Sequence, residues 1–234
     1  HRAEERPWSV RAWGVERNGQ SGGGAMRRQV VVLLSLALVT AAWAVGPERY
    51  VCEVRPGPPA EVRVRTVGPE ARRVGPVFSY RYWGKMASAA DVDGDGRLDL
   101  LVLVHKKTRY DPKPAWRPFV YTLRDGRWVP KWLGSRVGRP LEEAAFVHLP
   151  GGVQLLTIER FGPDRSGLTL YHWTSFGFRG TWTGPAGPPM SGLRVLAEEN
   201  ADRISVNVGG RRRIYGYERG GYEPAETAPR GGER

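Results

Sequence analysis

The sequence predicts an all-β fold built from repeated four-stranded units: a small propeller of about four blades, or part of one. Three observations lead there. First, 31 Gly and 19 Pro are spread between short apolar runs in a chain of 234 residues, which suits many strands joined by turns rather than long helices. Second, "AADVDGDGRLDLLVLV" from Ala89 aligns without a gap, at an offset of 55, with "AAFVHLPGGVQLLTIE" from Ala144, and "NADRISVNV" from Asn200 is a weaker third copy. Third, each copy is followed by an aromatic hairpin signature: "VYTLRDGRWVPKW", "LYHWTSFGFRGTW" and "IYGYERGGYEPAE". In each, a Tyr precedes an aromatic by seven residues: Tyr121 and Trp128, Tyr171 and Phe178, Tyr215 and Tyr222. Gly-containing turns between alternating aromatic and polar residues read as β-hairpins.

Taken in order, residues 1–25 are polar and aperiodic, and are read as upstream or disordered sequence. At Met26 the character changes. "MRRQVVVLLSLALVTAAWA" has two arginines, an apolar run and Ala42-Trp43-Ala44. That is the pattern of a secretory signal peptide, 26–44, cleaved after Ala44. The apolar run is short for a full membrane span; an uncleaved anchor is the alternative. The expected localisation is therefore periplasmic or extracellular. Beyond residue 45 remain 30 basic and 21 acidic residues, a net charge of +9. Such a surplus favours anionic envelope surfaces or plain solubility. Nucleic acid is excluded as a partner by export and by the scatter of the arginines. The single cysteine, Cys52, cannot form an intramolecular disulfide.

Residues 45–234 form the repeat domain, with repeats at about 76–135, 136–185 and 186–228. A unit consists of an inner strand ("GKMASAADV"), a second strand ("DLLVLV") and the hairpin as third and fourth strands. Closed propellers have four or more blades. "ERYVCEVR", "AEVRVRTV" and "PVFSYRYW" within 46–80 supply a fourth, degenerate blade or strands that close the ring. An open stack or part of an oligomer are the alternatives.

The chemistry concentrates in "DVDGDGRLD". Asp91, Asp93, Asp95 and Asp99 stand at positions 1, 3, 5 and 9 of a loop, and Gly94 and Gly96 permit its sharp backbone. The Arg97 carbonyl, at position 7, can add a further oxygen. Hard oxygens in a flexible ring suit Ca²⁺ better than Mg²⁺, and zinc would want His or Cys. An EF-hand needs Glu at position 12 and flanking helices; position 12 is Val102, in an apolar run. "DVDGDGRLDL" resembles the calcium loop of FG-GAP/VCBS repeats, the blades of integrin-α-like β-propellers. The resemblance covers about 76–135 and implies one Ca²⁺ held by Asp91, Asp93, Asp95 and Asp99 and by the Arg97 backbone. In the gapless alignment, the second copy carries Phe146, His148, Pro150 and Gln154 at the aspartate positions, so one calcium is expected rather than one per blade.

No catalytic set stands out. His1, His105, His148 and His172 lack a Ser or Cys partner at motif spacing. The pairs Glu142-Glu143 and Glu198-Glu199 are adjacent in sequence, so on a strand their side chains diverge. The aromatics are read mainly as packing between blades, with stacking on sugar or peptide as the alternative. The basic, irregular stretch His105–Phe119 is the expected contact surface. The functional expectation is an exported, calcium-binding, non-catalytic repeat protein that binds a protein or glycan partner at the cell envelope. The alternative is an exported hydrolase or lyase that acts on an acidic polymer and uses calcium structurally.

Overall fold

A computed structural model describes residues 49–109, 111–134 and 136–225. It is a four-bladed β-propeller of fifteen antiparallel strands. The first sheet has three strands: β1 (Tyr50–Arg55), β2 (Ala60–Thr66) and β3 (Phe78–Tyr80). The second has β4 (Trp83–Ala90), β5 (Asp99–Lys106), β6 (Ala115–Arg124) and β7 (Arg127–Leu133). The third has β8 (Leu141–Leu149), β9 (Gly152–Gly162), β10 (Arg165–Thr174) and β11 (Gly177–Thr183). The fourth has β12 (Met190–Leu196), β13 (Arg203–Val208), β14 (Arg211–Glu218) and β15 (Gly221–Pro224). The degenerate blade expected in 46–80 is therefore present, with three strands rather than four. The signal-peptide expectation lies outside the described residues.

The apolar pattern follows from how blades stack. A blade cannot bury both faces alone, so its middle strands read as continuous apolar runs instead of alternating ones. In β5, Leu100, Val102 and Val104 join Val62, Val64 and Phe78 of the first blade. Leu101 and Leu103 point the other way and meet Phe146, Leu155 and Tyr171 of the third. Leu156 and Ile158 of β9 join Ile204 and Val206 of the fourth blade.

Strand register confirms the repetition. Leu100 pairs with Tyr121, Leu155 with Tyr171 and Ile204 with Tyr215. The gapless alignment fails in the inner strand, however. Ala89 pairs with Leu100, but Phe146, not Ala144, pairs with Leu155. The second copy's hairpin closes on a short turn at Pro150-Gly151, where the first spends Asp91–Leu98 on a loop. The copies therefore align only with a two-residue gap, placed in the aspartate loop itself. The turn of the last blade is Arg219-Gly220, with Glu218 paired to Gly221. Both of its central residues have positive φ, as do Asp125 and Gly126 in the second blade, the geometry of a type I′ hairpin.

β1, β4, β8 and β12 surround a narrow channel of about 120 Å³. The ends of β4 and β8, the loop after β12 and the start of β1 meet one groove. β1 thus runs opposite to the other inner strands. The join of fourth blade to first is a polar latch. The Arg49 guanidinium donates to both Asp202 carboxylate oxygens at 2.6 and 2.8 Å, to the Glu198 carbonyl at 2.9 Å and to His148 Nδ1 at 2.7 Å. The His148 backbone N–H also donates to Asp202, at 2.7 Å.

Candidate cation site and adjoining groove

The loop Asp91–Leu98 folds around its first carboxylate. Asp91 Oδ1 accepts from the N–H of Gly94 at 2.8 Å and of Asp95 at 3.1 Å, and Oδ2 from that of Gly96 at 2.7 Å. This wrapping puts Gly94 and Gly96 at positive φ (73° and 78°), where a side chain is strained. Asp99, the first residue of β5, is fully buried. Its Oδ2 accepts from Val92 N–H at 3.2 Å and from Lys131 Nζ at 2.7 Å. Lys131 also reaches Asp93 Oδ1 at 2.7 Å.

Asp91, Asp93 and Asp99 each offer one oxygen, all within 4.8 Å of one another. These are three of the four aspartates the sequence singled out. Asp95 is turned elsewhere: its Oδ1 accepts from the Arg97 N–H at 2.9 Å, and the Arg97 side chain lies 3.3 Å from its Oδ2. Asp99 Oδ1 is buried without a hydrogen-bond partner, as is the hydroxyl of Thr122, its cross-strand neighbour. Burial pushes the Asp99 carboxyl up, against the opposing pull of Lys131 and the Val92 N–H. Burial pulls Lys131 down, but its bonds to Asp93 and Asp99 outweigh that and hold it above its ordinary value. Even with the ammonium present, the carboxylates are short of positive charge. The residues thus fit a hard divalent cation: clustered carboxylates, one orphaned oxygen and a charge deficit.

The site borders a groove of about 1080 Å³, lined among others by Asp91, Asp93, Arg97, His148, His172 and Trp173. Ser175 also lines it, and the next residue of that turn, Phe176, is 84% exposed. The groove was not legible in the sequence, because its walls come from all four blades and only the fold brings them together.

His105 packs against Trp116, with ring centroids 5.1 Å apart and the planes tilted by 56°. His172 lines the groove. Glu142 pairs with Arg160, whereas Glu143 accepts from the N–H groups of Gly192 and Leu193 at 2.9 and 2.6 Å. Glu198 pairs with Arg203. The expected contact stretch His105–Phe119 is strand at both ends, since β5 runs to Lys106 and β6 starts at Ala115. Its irregular part is tied down by Asp111, which pairs with Arg117 at 2.8 Å and Arg136 at 2.6 Å. Those two arginines hold the Asp111 carboxyl at about 2. Cys52 is buried, and burial pushes its thiol up to about 12. It belongs to the core and not to a reactive site.

The Arg49–His148–Asp202 set escaped sequence reading. Its members stand 99 and 153 residues apart from Arg49, and no local pattern links them.

Comparison with known proteins finds no matching family model, no similar curated protein and no similar solved structure.

Proposed function

We propose that this chain is an exported, calcium-binding propeller of the FG-GAP/VCBS type, non-catalytic, that presents the groove beside its calcium loop to a protein or glycan partner at the cell envelope. The observation that carries this reading is the convergence of Asp91, Asp93 and Asp99 at a wide groove. The signal-peptide pattern read in the sequence of residues 26–44 and the D-x-D-G-D-G-x-x-D-L motif support it. Calcium, when bound, supplies positive charge to three carboxylates, one of them buried, and so couples the loop to β5. The chain's own residues do the rest. Asp91 shapes the loop through three backbone N–H groups, and Trp173 offers apolar surface in the groove.

Thermal unfolding with calcium and with chelator tests the reading. A ligand at 100 times its Kd stabilises by about 2.7 kcal/mol, or about 5–10 °C for a domain of this size. That rise is expected in the wild type and is lost in Asp93→Asn. Equal melting temperatures with calcium and chelator in the wild type would refute it.

A further inference from the structure

Lys131 holds the place a metal would compete for. It is the extra residue of a bulge in the outer strand of the second blade: Tyr121 pairs with Pro130 and Val120 with Trp132, which leaves Lys131 between them. The bulge turns its side chain across the sheet to Asp99 and Asp93, both at 2.7 Å. The third blade repeats the geometry without the charge. There the extra residue is Thr181, and its hydroxyl donates to Gln154 at 3.1 Å. Gln154 stands where Asp99 does, one residue before the Leu that pairs with the Tyr of the third strand. The reach from the bulge to the head of the second strand is thus a property of the fold. What is particular to the second blade is that an ammonium meets an acidic loop.

We infer that Lys131 is a resident counter-cation of this site, that its ammonium and a divalent ion exclude each other there, and that Lys131 therefore sets the affinity of the site for calcium. The inference rests on the calcium reading above. Two cations cannot share Asp93 and Asp99 without mutual repulsion, least screened at the buried Asp99. On metal binding the ammonium leaves the carboxylates on the side of Trp173, whose ring centroid is 5.5 Å from Nζ and which lines the groove. The site then behaves as a calcium sensor instead of a permanent staple. The metal-free blade is only partly neutralised, by the one ammonium, and binding changes what the groove wall presents.

Two measurements on the protein test this. Calcium titration by calorimetry compares the wild type with Lys131→Gln, which keeps a hydrogen-bonding head but no charge. Binding at least tenfold tighter in the variant is expected. Acylation of lysines, read by mass spectrometry on the wild type with and without calcium, reports the ammonium directly. Labelling of Lys131 is expected to rise several-fold with calcium, and this arm decides alone if the variant does not fold. Equal affinities, or labelling of Lys131 that calcium leaves unchanged, would overturn the inference and leave the calcium reading intact. No calcium binding in either protein would overturn both.

Discussion

Replacement of Asp202 by alanine is expected to destabilise the protein by about 3 kcal/mol, near the low end for breaking a buried charge pair. Asp202 is fully buried, whereas Arg49 keeps 22% of its side chain exposed, so part of the freed charge can be hydrated. For a domain of this size the loss corresponds to about 6–12 °C in melting temperature. The effect is large because Asp202 is a hub. Its carboxylate accepts from the Arg49 guanidinium through both oxygens and from the His148 backbone N–H. Alanine leaves the Arg49 and His148 donors without their acceptor at the join between the last blade and the first. The pH dependence has a definite sign. Burial pushes the Asp202 carboxyl up, but its bonds to His148 and the charge of Arg49 outweigh that and depress it. A depressed carboxyl contributes fully above its unfolded value of about 3.9. The contribution is lost as pH falls through the lower folded value. Melting temperature followed from pH 7 downward should show the wild type losing stability below about pH 4, and Asp202→Asn should lose less over that window.

Gly221→Ala is expected to cost about 1–3 kcal/mol through overpacking. Gly221 opens β15, and the Trp182 indole of the third blade lies against it so closely that a Cβ would collide with Cε2 and Nε1 of the ring. The clash is with the rigid middle of the indole, not with a flexible chain end, so the third blade must shift against the fourth. Denaturant unfolding measures the loss. Trp182→Phe in the same chain should recover part of it, a coupling that independent sites would not show.

These two positions mark what the sequence conceals. Repetition was legible because Leu100, Leu155 and Ile204 each head a buried second strand whose partner is a Tyr at the same register. The loop was legible because four aspartates in nine positions repel one another unless positive charge sits among them. The three-stranded first blade was legible only as a set of strand-like runs. The two-residue gap was hidden because Ala89-Ala90 and Ala144-Ala145 match by composition, whereas register is decided by where the hairpin turns. The latch was hidden for a different reason: ring closure joins residues from the two ends of the repeat domain, and periodicity carries no information about that. Lys131 was hidden because its reach depends on a bulge, one unpaired residue in β7, which displaces a side chain without leaving a motif.

The central claim is a single hard-cation site formed by Asp91, Asp93 and Asp99 beside Trp173. Terbium luminescence tests it most directly, because Tb³⁺ takes the same oxygen donors as Ca²⁺ and emits when a nearby indole is excited. Titration under tryptophan excitation should saturate at one ion per chain. Calcium should displace the signal, Trp173→Phe should weaken it and Asp99→Asn should abolish it. No sensitised emission, or emission that Asp99→Asn leaves unchanged, would contradict it and leave the aspartates as a turn held by Lys131 and Arg97 without a metal.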